Sequence, residues 1–395
     1  MDAILVLNAG SSSIKFAAFE HSSELGGTHL IGMGHMAQVG PGLELKAHRA
    51  DGSLIEQSCK DAPDGLFDHD HALSWMFSWL DQHRDGLTLS AVGHRVVHGG
   101  PKHSQPVLLT AEVLADLDAL VPLAPLHQPH HLKAIRLIQG RWPSLPQVAC
   151  FDTAFHATQP PVAQAFALPR DLTDAGIRRY GFHGLSYEYI ATQLPRALGD
   201  RAQGKVVVAH LGNGASLCAM VDGKSVASTM GFSALDGLVM GTRCGSIDPG
   251  VLLYLLEQQH MSVQDVTDLL YQRAGLLGVS GISSDMQVLL SSTDRRAQEA
   301  IDLFVYRLVG EIGALAAAMG GVDALVFTAG IGEHAAPIRA RVCEACHWLG
   351  ATLDEAANQS HQELIHGASS KLLLAVIPTN EEHMVAAHTL RCIKG

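Results

Sequence analysis

The chain predicts an α/β fold made of two related halves, and three observations carry that expectation. Short runs rich in Val, Ile and Leu alternate with stretches of helical periodicity, the pattern of partly parallel sheets. The opening run, Ile4–Leu7, breaks at the polar turn Asn8-Ala9-Gly10-Ser11-Ser12-Ser13 before a second run begins. The same design returns about half a chain later, where Val206–His210 meets Leu211-Gly212-Asn213-Gly214 and re-enters as a strand.

The elements follow in order. Ile4–Leu7 and Ile14–Phe19 make the first expected hairpin. Its small residues let backbone N–H groups approach phosphate oxygens and Lys15 adds charge, although a plain Ser-rich turn has the same composition. Ala91–His94 is the next expected strand, ending in Arg95 ahead of Gly99-Gly100. Pro129 suits a helix start, with Leu132, Ile135 and Leu137 following. Val148–Phe151 is a strand that ends at Asp152. His183 stands between Gly181 and Gly184, and Arg243 stands in a second glycine-rich segment, Met240–Pro249. Val206–His210 and Leu217–Val221 form the second hairpin. From about Arg296 to Met319, the four-three spacing of Ile301, Val305, Leu308, Ile312, Leu315 and Met319 predicts a helix buried on most of its sides. Leu325–Thr328 and Leu372–Ile377 are the last strands; they end in Ala329-Gly330-Ile331-Gly332-Glu333-His334 and in Thr379-Asn380-Glu381-Glu382. Open α/β sheets bind ligands beyond the carboxyl ends of their strands, so these polar ends are expected to build one cleft.

Composition removes several function classes. The 395 residues carry 27 basic and 39 acidic side chains, a net charge of −12, which argues against a general nucleic-acid or anionic-membrane binder. An anionic substrate then needs locally placed arginines. Asp2 stands where a secretory leader wants basic residues, and the apolar stretch from Leu308 to Ala329 is broken by Glu311 and Asp323, so neither a leader nor a membrane span is expected. Seven scattered cysteines fit reduced thiols in the cytoplasm. Cys343 and Cys346 form a single C-x-x-C beside His347; two covered thiols on one helical face are expected there rather than a metal or redox pair. His130 and His131 follow His127, but adjacent helical residues point apart, which disfavours a metal site.

Taken together, six motifs in order resemble the acetate kinase (acetokinase) family, within the wider fold family of actin and the sugar kinases. They are Asn8–Lys15, Gly93–Gly100, Phe151–His156, Arg179–Gly184, His210–Gly214 and Met240–Pro249, and the match runs on through Gly330–His334 to Glu382. The resemblance implies two actin-like (ribonuclease H-like) domains with an active-site cleft between them. The N-terminal domain would be 1–152 plus 385–395, and the C-terminal, nucleotide-binding domain 153–384. It implies reversible transfer of the ATP γ-phosphoryl group to acetate, with Mg²⁺ or Mn²⁺, in a cytoplasmic homodimer that binds neither nucleic acid nor membrane.

By the same resemblance Arg95 and Arg243 hold the carboxylate and the transferring group. His183 bonds the phosphoryl oxygens, Asp152 orients an arginine or the metal shell, and His127 is a further active-site histidine. Val97, Leu126, Phe182 and Ala234 form the acyl pocket. Ser11, Ser13 and Lys15 approach the phosphates. His210, Leu211, Gly212, Asn213 and Gly214, with Gly330, Ile331, Gly332, Glu333 and His334, line the nucleotide site; Asp285, Met286 and Gln287 meet the adenosine. Asn8 and Glu381 organise the metal.

The chain departs from the family pattern at Tyr187 (a histidine there), Ser246 (an aspartate), Gln287 (an arginine), His334 (an asparagine) and Ala234 (a proline). Ala234 widens the acyl pocket, which leaves propionate or another short-chain acid as an alternative substrate. An ATP-binding switch or assembly module is the alternative from another class; it needs the phosphate turns but not Arg95, His183 and Arg243.

Overall fold

Buried apolar runs become the central strands. The computed structural model describes residues 1–10, 13–21, 27–39, 42–61, 69–83 and 86–394. The chain divides into two units, Met1–Ala154 with Asn380–Gly395, and Phe155–Thr379. The return segment starts at Asn380 rather than 385. Asn380 Oδ1 accepts from the His383 N–H at 2.9 Å, which ties that residue to the helix Glu381–Lys394.

In the first unit the described strands are β1 (Asp2–Ala9), β2 (Ser13–His21), β3 (Thr28–Val39), β4 (Gly42–Arg49), β5 (Leu54–Asp61), β6 (Thr88–Val96), β7 (Val107–Leu108) and β8 (Gln147–Phe151). They form one sheet in the order β5-β4-β3-β2-β1-β6-β8-β7. β1 and β2 are an antiparallel hairpin, whereas β1, β6 and β8 run parallel. The sequence pointed to β1 and β8 because both faces of such strands are covered and apolar, and to β2 and β6 through their buried central runs. It passed over β3, β4 and β5. On β4 only alternate residues, Leu43, Leu45 and Ala47, are buried, against Leu73, Met76 and Phe77 of the helix His69–Gln82, so no continuous run exists to be read.

In the second unit β9 (Lys205–Leu211), β10 (Ala215–Val221), β11 (Lys224–Ser228), β12 (Ala324–Thr328) and β13 (Leu373–Val376) order as β11-β10-β9-β12-β13. β9 and β10 are the antiparallel hairpin; β9, β12 and β13 run parallel. This repeats β3-β2-β1-β6-β8 of the first unit strand for strand, so the short sequence echo reflects a shared topology. Tyr187, Ile190 and Leu194 of the helix Gly184–Leu198 pack on Val206, Val208, Cys218 and Val326.

The helix Arg295–Met319 keeps the expected stripe, with Ile301, Val305, Leu308, Ile312, Leu315 and Met319 buried. It is not buried on most sides, which corrects the expectation. The opposite face carries Arg295, Glu299 and Asp302 in surface ion pairs, and Tyr306 is 75% exposed. Cys343 and Cys346 are both fully buried; burial pushes their thiols up, to about 12 and about 11, so they stay protonated. No helix among the described residues is long and apolar enough to cross a membrane.

Candidate active site

The parallel strands of the first unit bring their carboxyl ends to one edge. Asp152 follows β8, and its N–H donates to Val96 O at the end of β6. Arg95, one residue earlier on β6, grips the Asp152 carboxylate with two nitrogens: Nε donates to Oδ1 at 2.9 Å and Nη2 to Oδ2 at 2.7 Å. Its third nitrogen, Nη1, lies 3.1 Å from Glu381 Oε2. Burial works against the Arg95 charge, but Asp152 and Glu381 outweigh it and hold the guanidinium cationic. Burial raises the Asp152 carboxyl and Glu381 adds to that, against the pull of Arg95. Burial also raises Glu382, which feels both Lys15 and Arg95. Asn8 and Lys15 are register partners across the hairpin. His131 fixes the Arg95 backbone, its Nδ1–H donating to Arg95 O at 2.6 Å. Burial, with Arg95 nearby, brings that histidine down to about 3, so it is neutral. His127 is the N-cap residue of the helix Gln128–Arg141. Val97 is buried and Leu126 half-buried in the same unit.

The second unit holds a separate constellation. His183 is the N-cap of the helix Gly184–Leu198 and has φ 58°, a left-handed backbone that costs a non-glycine residue about 1–2 kcal/mol. Its ring stacks on His210 of β9, centroids 4.2 Å apart. His183 Nδ1 is 2.8 Å from Ser216 Oγ, and Ser216 Oγ is 2.6 Å from the Tyr187 hydroxyl. His210 Nδ1 is 2.8 Å from Ser186 Oγ, which reaches Thr379 Oγ1 at 2.8 Å. A Cβ placed on Gly214 would lie 3.3 Å from His183 Nε2 and 3.4 Å from Arg243 Nη2. Both cationic-type side chains therefore meet over the bare α-carbon of the turn. Arg243 Nη1 donates to Ala234 O at 2.7 Å, which anchors its far end. Phe182 is buried beside His183; its carbonyl accepts from His156 Nε2–H at 2.9 Å.

A cavity of about 750 Å³ opens beyond the carboxyl ends of β9 and β12. It is lined by Gly212, Asn213, Asp285, Met286, Gln287, Gly330, Ile331 and His334 among the sequence-predicted residues. Ser284, next to Asp285, lines it too; Leu290, Ala335 and Pro337 line it as well and were not singled out by sequence. Asp285 caps the helix Met286–Ser291, its Oδ1 accepting from the Gln287 N–H at 2.7 Å. Leu211 and Gly332 are buried and off the cavity lining. Glu333 turns inward: its Oε1 accepts from the Ala329 and Thr379 N–H groups at 2.8 and 3.2 Å. Ser13 begins β2, its carbonyl accepting from the Gly10 N–H at 2.8 Å, and Ser11 lies outside the described residues.

One supporting residue was invisible to sequence reasoning. Arg339 is fully buried and has no carboxylate partner among its hydrogen bonds; it donates to the carbonyls of Gly332, Glu333 and Asn358 at 2.8 Å each and to Asn358 Oδ1 at 2.8 Å. An arginine on a helix reads as a surface residue, and only the buried carbonyls reveal its task of tying the helix Ala329–His334 to the helix Glu355–Gln359.

The acetokinase family model matches residues 3–387. An acetate kinase of Rhodopseudomonas palustris is 55% identical over 397 aligned residues, covering 100% of this chain and 99% of that one. An acetate kinase of Methylocella silvestris is 49% identical over 98% of this chain and 97% of its own. Among solved structures, a propionate kinase of Francisella tularensis superposes with a TM-score of 0.90 at 37% identity, over 99% of this chain and 100% of that one. An acetate kinase of Porphyromonas gingivalis superposes with a TM-score of 0.86 at 37% identity, over the whole of both chains.

Proposed function

The chain belongs to the acetokinase family, and from that premise we propose that it transfers the γ-phosphoryl group of ATP to acetate, giving acetyl phosphate and ADP, reversibly. The observation that carries the reading is the pair of donor groups, Arg95 held by Asp152 and Glu381, and Arg243 beside His183 over Gly214. A switch module has no use for them.

The chemistry asks for what these residues offer. A carboxylate oxygen forms a bond to the γ-phosphorus as the bond to the ADP oxygen breaks. No proton is transferred, because a carboxylate is already ionised near pH 7. The barrier is instead the approach of two anions; unit charges 4 Å apart repel by about 4 kcal/mol at an effective dielectric of 20. Arg95 and Arg243 offset that repulsion, and His183 Nε2–H bonds the transferring oxygens. Asp152 keeps the Arg95 fork rigid rather than acting as a base. Val97, Leu126, Phe182 and Ala234 cover the methyl group, and His127 lies next to that wall in the chain. The 750 Å³ cavity takes the nucleoside of ATP, with Asp285 toward the ribose. Ser11, Ser13 and Lys15 serve the phosphates.

The donor set of the first unit fits a Mg²⁺ ion. Asp152, Glu381 and Glu382 cluster around Arg95 and Lys15, an excess of carboxylate that a cation balances. Mg²⁺ binds through one or two carboxylates together with waters and phosphate oxygens. Asn8 and Glu381 would hold it, or Mn²⁺ in its place, and it would supply charge stabilisation to the transferring group.

The reading includes a cytoplasmic homodimer. Its support is the helix Pro249–Glu257, an apolar segment with no buried residue, on which Val251, Leu253 and Tyr254 are exposed. A second copy of the chain would cover it.

Acetate is the substrate the relatives' names favour, and Ala234 in place of the family's proline is the observation that favours propionate. The test is hydroxylamine trapping of acyl phosphate with ATP and Mg²⁺, run on acetate, propionate and butyrate. Acetate is expected to have the highest kcat/KM, with propionate about 10- to 200-fold behind, because one methylene discriminates by about 1–3 kcal/mol. A tenfold preference for propionate overturns the substrate, and no acyl phosphate from any of the three overturns the activity.

A further inference from the structure

Tyr187 stands where the family pattern has a histidine, and it is wired to His183 twice. Its N–H donates to His183 O at 3.1 Å, within the first turn of the helix Gly184–Leu198. Its hydroxyl lies 2.6 Å from Ser216 Oγ, which lies 2.8 Å from His183 Nδ1. Tyr187 and Ser216 are both fully buried. We propose that Tyr187, acting through Ser216, holds His183 in the Nε2–H tautomer and so aims a donor at the transferring phosphoryl group; Tyr187 is a positioning residue, and the proposal rests on the acyl kinase reading above.

A count of protons carries the argument. The three polar atoms, Tyr187 Oη, Ser216 Oγ and His183 Nδ1, form a line with two hydroxyl protons. If Tyr187 donates to Ser216 and Ser216 donates to Nδ1, each hydroxyl proton has an acceptor. If Nδ1 carries a proton, it must donate to Ser216, and one of the two buried hydroxyls loses its acceptor in the line. Buried polar groups left unsatisfied are costly, so the line selects the ring with Nδ1 bare and Nε2 protonated. The partner atom, Nε2, is the one that lies over Gly214 beside Arg243.

Surrounding charges push the same way. The Arg243 guanidinium shares the space over Gly214, so a cationic His183 would meet like charge. Burial holds the Tyr187 hydroxyl well above its ordinary range, so it remains a donor at every working pH. A histidine at 187 would bring a tautomer and a charge of its own to the line. The phenol brings neither.

The experiment is two-bond ¹H–¹⁵N spectroscopy of the histidine rings in the full chain, with His183 assigned by its absence in H183Q, together with steady-state kinetics. The intact chain should show His183 with Nδ1 bare. In Y187F, the His183 signals should move toward a mixture of tautomers. kcat should fall about tenfold or more, since a wrong tautomer in a serine protease costs about 10⁴-fold, while both KM values stay within about twofold. Y187H should recover most of the lost kcat. Unchanged nitrogen signals in Y187F overturn the proposal, as does a kcat equal to that of the intact chain. Should Y187F not fold, S216A keeps the tyrosine in the core and cuts the same line; unchanged His183 signals there overturn the proposal equally. An intact chain with Nδ1 bare but no acyl kinase activity removes the functional reading and leaves the tautomer assignment standing.

Discussion

Gly214 shows how one missing side chain defines a site. Its α-carbon is the floor on which His183 Nε2 and Arg243 Nη2 converge, at 3.3 and 3.4 Å from where a methyl group would stand. Gly214→Ala is therefore expected to displace both groups. The added methyl asks each group to give by a few tenths of an ångström, and a full ångström costs on the order of 10²-fold, so kcat should fall by roughly three- to tenfold. The unfolding free energy should change by less than about 1 kcal/mol, because a methyl group facing the site opens no cavity in the core. Urea melts and kcat measured on the same preparation check this, and an unchanged kcat refutes it. Arg95, Asp152, His183 and Arg243 were legible in the sequence because each sits at a strand end or between glycines, where a charged residue has no packing reason to be. Ser216 and Arg339 were not. Each takes its meaning from partners distant in sequence: the Tyr187 hydroxyl for one, three backbone carbonyls for the other.

Single elements were readable where both their faces are buried. β1 and β9 announce themselves as unbroken apolar runs, and the hairpins that follow them were placed correctly. β4 alternates polar and apolar residues, and β3 and β5 interrupt their apolar residues with glycines and polar residues, so none gave a run to follow. The helix Pro249–Glu257 is the reverse case. Its sequence, Pro-Gly-Val-Leu-Leu-Tyr-Leu-Leu-Glu, reads as core, yet every residue is exposed or half-exposed. The homodimer proposed above would cover that helix and account for the mismatch. Leu253→Asp should then shift the chain from twice its 42.0 kDa mass toward one, as read by light scattering after size exclusion. A chain that already elutes at the single mass excludes the dimer.

Across the molecule, buried histidines set an acid limit. Burial brings His94 to about 4, His131 to about 3 and His156 to about 4, and the three fall in both units. Unfolding returns each to the ordinary value near 6.5, so between pH 6.5 and about 4 the unfolded chain binds more protons than the folded one. Stability is thus full above pH 7 and drops on acidification, by up to about 1.4 kcal/mol per pH unit for each histidine. Unfolding free energies from urea at pH 7.5, 6.5 and 5.5 should show that slope, reduced in His94→Gln. A flat profile down to pH 5 refutes it. At this scale the sequence revealed the duplication, since two hairpins of like design head two sheets of like order. It did not reveal where the chain returns to its first unit, because that border depends on what the last helix packs against.

That return has a consequence for how the chain is made. The helix Glu381–Lys394 lies on β1, β6 and β8, and Gly93 of β6 gives it room: a Cβ there would come within 2.7 Å of Val385. The helix also carries Glu381 to Arg95. On the ribosome, residues of the first unit emerge before any of the second, yet its sheet stays open on that face until the helix Glu381–Lys394 emerges. Phe155–Thr379, encoded without interruption, emerges whole before those residues do. The half of the molecule that is translated first is thus the last to close, and chains released short of residue 381 would lose the packing of one unit while keeping the other.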